Sequence, residues 1–533
     1  IQTYPAMKKL LFTLLLFAAC GSQAEDGGTS PAPGTKEYDI TDFGASGDGT
    51  TLSTGAIQRA IDRCSAEGGG TVCIPRGRFL SGTLQLKSGV TLHLAEGAIL
   101  LGSTKMEDYT PSNLIRAKQA DDIGITGPGT IDGQGSHFWY RKPTGHYDHL
   151  PERPGCMVYL EDCRNVRVEN VRLQNSESWT LHLLGCTGAT VRRVTVRNPL
   201  HGPNTDGIDI QASSDVHISE CDIYTGDDAI VLKHRHSKYY DRICENVTVT
   251  GCVLTTTCNA LKIGTETLGE FRNITFRDCT VRAVGPDDSL ARIRLEAGLP
   301  ARAISGISVE SVDGSHIRDV RFDNIEMEEV RAPIFVRLAN RGAGDRKGRP
   351  KVPGSIRNVT ISRVSAGSAW YASSITAIPG YAVEEVTLSD IRITTAGGGD
   401  EALAEKSVDE RIESYPDAHM WKELPASALY VRHARGIGFD GIRISLEGTD
   451  RRPVLICDDV RDFRMEGLKA DDRSEGEALI RLQETKGALF GPIDTESPCP
   501  YLFDLRGTGC TDIRTECPSS RIKGPAGTTP AQI

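Results

Sequence analysis

One arrangement of apolar and polar positions returns along the chain: apolar, any, apolar, two residues, apolar, any, apolar. It reads Val166/Val168/Val171/Leu173, Val216/Ile218/Cys221/Ile223, Val247/Val249/Cys252/Leu254 and Ile274/Phe276/Cys279/Val281. It returns at Val320/Phe322/Ile325/Met327, Val359/Ile361/Val364/Ala366, Val386/Leu388/Ile391/Ile393 and Ile437/Phe439/Ile442/Ile444, with a weaker copy at Ala189/Val191/Val194/Val196. Successive copies begin 23, 27, 31, 27, 46, 39, 27 and 51 residues apart. Apolar residues at every second position read as strand, and the two-residue step reads as a bend between two short strands. The β-branched content agrees with strand rather than helix. One such unit cannot bury its apolar side alone, so the units must stack. The spacing predicts an all-β fold, a right-handed parallel β-helix with loop insertions. A propeller would need blades of about 40 residues or more with Trp-Asp signatures, and the chain has none.

Outside the repeats, Ile57, Ala60, Ile61 and Cys64 share one face of a helix expected over Ala56–Ala66, stopped by Gly68-Gly69-Gly70. It is expected to cap the open N-terminal end of the solenoid, whose first coil would otherwise expose a sheet edge. Met7, Lys8 and Lys9, an apolar run from Leu10 and the stretch Ala18-Ala19-Cys20-Gly21 read as a signal peptide over 7–20 with a lipobox, Cys20 being the lipidated residue. A flexible tether follows at 21–37, then a single β-helix domain at 38–510 and a tail at 511–533. The expected location is that of an exported bacterial lipoprotein, periplasmic or on the outer-membrane surface, a monomer held to the membrane through its lipid anchor only. The stretch Glu401–Leu424 carries no repeat and is expected to line one side of a cleft.

Composition narrows the partners. Acidic residues outnumber basic ones, 71 to 61, for a net charge of -10, which disfavours a nucleic-acid binder. Of the 15 Cys, Cys221, Cys252 and Cys279 fall on core positions of the repeat and read as buried thiols. Cys64 with Cys73, and Cys499, Cys510 and Cys517 among themselves, are the expected disulfides.

In a solenoid, residues one coil apart stack at about 4.8 Å. Asp206, in Asn204-Thr205-Asp206-Gly207, precedes Asp227-Asp228 by 21 to 22 residues. Three carboxylates are therefore expected at one corner. Paired carboxylates are what acid-catalysed glycoside cleavage needs, one protonated to serve the leaving oxygen and one ionised. Crowding like charges raises one pKa and supplies the acid. A turn ladder of Asp and Asn and a calcium site are the competing readings of the same residues.

Asn204-Thr205-Asp206-Gly207 and Gly226-Asp227-Asp228 resemble signature motifs of the polygalacturonase-like glycoside hydrolases, family 28. Asp42-Phe43-Gly44-Ala45, the run from Ala56 to Asp62 and Ile131-Asp132-Gly133-Gln134-Gly135 are similar to the same family. The resemblance implies an inverting hydrolase of a pectic polysaccharide or oligosaccharide that uses no metal and no cofactor. It implies Asp227 as general acid, with Asp206 and Asp228 holding and deprotonating the attacking water. Two motifs depart from the family pattern. Asn259 stands where its Gly-His-Gly places histidine, and Ser308-Val309-Glu310 aligns with its carboxylate-gripping Arg-Ile-Lys. Glu310 in that place would repel a uronate, which points to a rhamnogalacturonan-type substrate, or a galacturonide, rather than plain polygalacturonate. The expected substrate-binding residues are Asn204, Asn259, Lys262, Glu266, Lys233 and Glu310, with Arg292 and Arg294 as further cations in a loop. A uronate lyase or epimerase of the same architecture, and a non-catalytic glycan-binding lipoprotein, are the alternatives.

Overall fold

The structure, a computed structural model, describes residues 36–344, 348, 350–524 and 531–532. The expected signal peptide with Cys20, and the tether up to residue 35, lie outside the described residues. From Lys36 onward the chain forms one unit.

Its strands pair in parallel, each with the strand one coil on. Leu181–Leu184 pairs with Ile208–Gln211, then Ile230–His234, then Asn259–Thr267, then Ala303–Ser311. The next face runs Thr187–Arg192, Ser214–Ser219, Cys244–Thr250, Phe271–Val281. This is the parallel β-helix that the repeats predict. The two-residue step ends on a left-handed residue in every copy: Asn170, Arg193, Glu220, Gly251, Asp278, Asn324, Arg363, Asp390 and Gly441. One such residue bends the strand so that the apolar pairs on both sides of it face the interior. A second left-handed corner opens each copy, and its side chains form a ladder: Asn246 donates to Asp215 at 2.8 Å and Asn273 to Asn246 at 2.7 Å.

The repeat positions from Val166 to Ile444 all lie in one continuous core. Each fully buried Val, Ile or Phe contributes roughly 1.5–3 kcal/mol, and Phe276 stacks on Phe322 at 4.8 Å. The cap is a helix over Thr54–Ala66 that buries Ala56, Ile57, Ala60, Ile61 and Cys64. It stops where Gly69 passes so close to Gly89 that a Cβ would sit 2.6 Å from a carbonyl oxygen.

All cysteines among the described residues are free. The expected Cys64–Cys73 bridge is absent because the alternation that turns Val72 and Ile74 inward turns Cys73 away from the core that holds Cys64. Cys499, Cys510 and Cys517 occupy separate buried positions, Cys499 bonded to the Ser474 carbonyl and Cys510 to that of Leu482. Cys221, Cys252 and Cys279 are buried thiols, each donating to the carbonyl two residues before it. Coiling continues past Cys510, where the sequence pattern fades: Thr511–Thr515 pairs with Lys486–Phe490.

One face differs from the others. Along Ile208–Gln211, Ile230–His234 and Ala303–Ser311 the outward residues are buried as well as the inward ones. Part of the cover comes from the Glu401–Leu424 insertion, whose Trp421 packs on Phe335 and lies 5.2 Å from the Arg337 guanidinium.

Candidate active site

The site forms at the corner just before this covered face. Ile208 is in register with Ile230, and Ile230 with Leu261. Counting back two residues aligns Asp206, Asp228 and Asn259 on successive coils, and the bond from the Gly207 amide to the Asp228 carbonyl, 2.9 Å, holds that alignment. Asp227 aligns in the same way with Cys258, one coil on. The two side chains of the Asp227-Asp228 pair bring carboxylate oxygens within 4.8 Å of each other and of the Cys258 thiol, a group with metal-ligand spacing. Burial, then the neighbouring carboxylates, push the Cys258 thiol well up, so it stays neutral.

The carboxylates are held differently. Asp228 is 4% exposed. Its Oδ1 accepts from the Asn259 side-chain amide at 2.8 Å and the Asn259 backbone amide at 3.2 Å, while Oδ2 lies 3.2 Å from Lys262 Nζ. Burial works to raise its pKa, but Lys262, Lys233 and the Asn259 amide outweigh it and hold Asp228 below the ordinary carboxylate range. Asp227 forms no ion pair among the described residues. Burial and then the Asp228 charge raise it, against the Cys258 thiol beside it, and its carboxylate accepts from the Asp228 backbone amide at 2.9 Å and the Asn204 side-chain amide at 3.5 Å.

Asp206, 2% exposed, accepts from Lys233 Nζ at 2.7 Å through Oδ2, and Oδ1 is buried without a protein partner. Lys233 also pairs with Asp209 at 2.8 Å and lies 3.9 Å from the centre of the Trp179 ring. One ammonium cannot neutralise two buried carboxylates. Burial accordingly pushes Asp206 well up and Asp209 to about 7, against the pull of Lys233.

Beside the trio lies a pocket with about 480 Å³ of empty space, lined by Asn204, Asp227, His201, His146, Tyr147 and Arg294 among others. Its walls are the hairpin Trp139–Arg141 with Tyr147–His149 and the loop carrying the short helix Arg292–Glu296. His201 packs against Trp139 and Tyr147, and burial lowers its pKa to about 4, so the imidazole is neutral there. Arg153 donates to the Asn204 carbonyl oxygen of the side chain at 3.0 Å and fixes that amide beside Asp227.

A family model for glycosyl hydrolases family 28 matches residues 64–411. The chain belongs to that family. It is 29% identical to an exopolygalacturonase of Zea mays over 424 residues, 75% of this chain and 95% of the relative. It is 28% identical to an endo-polygalacturonase of Pectobacterium carotovorum subsp. carotovorum over 316 residues, 54% and 72% of the two chains. Among solved structures, a hyperthermoactive exopolygalacturonase from Thermotoga maritima superposes with a TM-score of 0.58 at 19% identity, covering 77% of this chain and 92% of that one. A family 28 exopolygalacturonase from Yersinia enterocolitica gives 0.53 at 19% identity, covering 82% and 78%. At that identity the likeness of structures carries the fold alone. The enzyme class, a glycoside hydrolase, follows from family membership.

In this family 28 hydrolase the expected site residues separate into two groups. Asn204 lines the open pocket with Asp227. Lys233, Asn259, Lys262 and Glu310, expected to bind substrate, are buried and bonded to the carboxylates or to one another. The Glu310 carboxyl is fully buried, takes the Ser308 hydroxyl at 2.6 Å and lies 3.8 Å from Lys262, and burial raises it to about 7. In that place it faces the Lys262 ammonium. Glu266 is paired with Arg235 at 3.7 Å rather than with the trio. Sequence reasoning passed over Asp209 and Trp179. Asp209 carried a signal, because it lies between the inward Ile208 and Ile210 and so must sit on the outward side with Lys233.

Proposed function

We propose that the protein is an inverting, exo-acting hydrolase of galacturonide bonds in pectic polysaccharides or oligosaccharides. The observation that carries this reading is the opposite displacement of two adjacent carboxyls. Asp227, raised by burial and by its neighbour, keeps a proton for the leaving oxygen. Asp228, held down by Lys262 and Asn259, is ionised and takes the proton of water. Asp206, one coil away, offers the unpartnered Oδ1 as the second hold on that water. Pairs that place a water across the sugar ring stand about 6.5–9.5 Å apart, and Asp227 and Asp228 are closer than that. Inversion here uses water held along the coil axis, between Asp206 and Asp228 at a spacing of about 4.8 Å.

The walled pocket favours attack at a chain end, as do the exopolygalacturonases among the relatives. Incubating the protein with trigalacturonate, polygalacturonate and rhamnogalacturonan oligosaccharides, with products identified by mass, tests the reading. Release of galacturonate monomer from trigalacturonate is the expected result. Cleavage of rhamnogalacturonan fragments alone would shift the substrate, and an unsaturated product would mean elimination instead.

A further inference from the structure

Two guanidinium groups of the groove form no ion pair among the described residues. Arg331 stands in register with Ile304, and Ile304, whose amide donates to the Cys258 carbonyl, with Cys258. Cys258 stands one coil after Asp227 at the same corner, so Arg331 occupies the corner position of the acid, three coils further on. It is 9% exposed, and its Nε is buried without a partner. Arg294 arrives from the loop that walls the pocket, its Nε anchored on the Pro300 carbonyl at 2.6 Å. The largest charge effect on Arg331 comes from Asp417, which works against burial, and Arg294 feels Arg331 and, more weakly, Asp227. Among the described residues neither forms an ion pair, whereas nearby Arg302 pairs with Glu329 at 2.9 Å and Arg341 with Asp313. Burial, followed by repulsion from Arg331, lowers Arg294 to about 10, which leaves it charged at neutral pH.

Two largely buried like charges cost stability unless an anion joins them. Planar guanidinium forks match a carboxylate. Ser308 and Glu310, beneath the groove, supply no cation.

We propose that Arg294 and Arg331 together grip the carboxylate of the acidic sugar seated over Cys258, one rung beyond the general acid, and so make the enzyme select uronates. This rests on the galacturonide reading above. The pair acts on binding and selectivity, not on proton transfer.

The test compares unesterified with methyl-esterified trigalacturonate for the wild type, Arg331→Gln, Arg331→Lys and Arg294→Gln. Arg331→Gln is expected to lower kcat/KM on the acid about 30- to 100-fold, mostly through KM. It should leave the ester within about threefold, and Arg331→Lys should recover part of the loss. Arg294→Gln, on a loop, reports the same loss if Arg331→Gln does not fold. Equal losses on acid and ester, or an unchanged acid-to-ester preference in both variants, would overturn the proposal. If the wild type cleaves neither substrate, the galacturonide reading fails by itself. Calorimetry with D-galacturonate and D-galactose then decides the clamp: binding of the acid alone, abolished in Arg331→Gln or Arg294→Gln, sustains it, and no preference for the acid overturns it.

Discussion

Lys262 Nζ lies 3.2 Å from one oxygen of Asp228, and the Asn259 amide 2.8 Å from the other. These two residues hold Asp228 ionised in a buried site. A base held low is active once the pH exceeds its pKa, so the acid limb of the pH–rate profile reports Asp228. Lys262→Met removes the nearer charge and raises that pKa. The acid limb of kcat/KM should move upward by about 1–3 pH units. A double change, Lys262→Met with Glu310→Gln, controls for the buried Glu310 left without its cation and should show the same displacement.

In the proposed roles Asp227 delivers the proton. Asp227→Asn should lower kcat about 10²- to 10⁴-fold while circular dichroism and the melting temperature stay those of the wild type. The alkaline limb of the profile, set by the raised Asp227, should disappear from the residual activity. Turnover at the wild-type rate would end its assignment as the acid.

Lys233 holds together the buried Asp206 and Asp209. Lys233→Met strands both carboxylates and should cost about 3–5 kcal/mol of stability, read from the denaturant midpoint at pH 7. Asp209→Asn removes the surplus carboxylate and should cost far less. A Lys233→Met protein as stable as the wild type would contradict the ion pairing described here.

Much of this was legible in the sequence because a solenoid converts spacing into position. The 21-to-22-residue interval between Asp206 and Asp227-Asp228 is one coil, and the repeat positions from Val166 to Ile444 all reached the core. What escaped was direction across the sheet. On an ordinary face an outward residue meets solvent, so Lys233, Lys262 and Glu310 read as substrate contacts. The covered face buries them instead, and cover comes from loops that carry no period. The disulfide expectation failed for a related reason, because spacing along the chain does not say which side of a strand Cys73 takes. Arg331 sits in a run, Val330–Leu338, that is buried throughout, and only the coil register links it to Asp227.

Glu177 gives a pH test of stability. It is fully buried, both oxygens lack partners, and burial raises its pKa to about 8 from an ordinary 4.5. Between those values the folded protein keeps a proton that the unfolded chain gives up, so stability falls as pH rises through that window. Glu177→Gln cannot lose the proton. Its melting temperature should fall less than that of the wild type between pH 5 and pH 8. Parallel curves for the two proteins would show that Glu177 is ionised in the fold.

The most direct measurement of the catalytic account is proton nuclear magnetic resonance of the first product formed, recorded before mutarotation. Water delivered from between Asp206 and Asp228, with Asp227 protonating the leaving oxygen, gives a new reducing end of configuration opposite to the bond cleaved. A first product that retains the configuration would mean that a carboxylate attacks the sugar itself, and the division of roles among the three aspartates would be wrong.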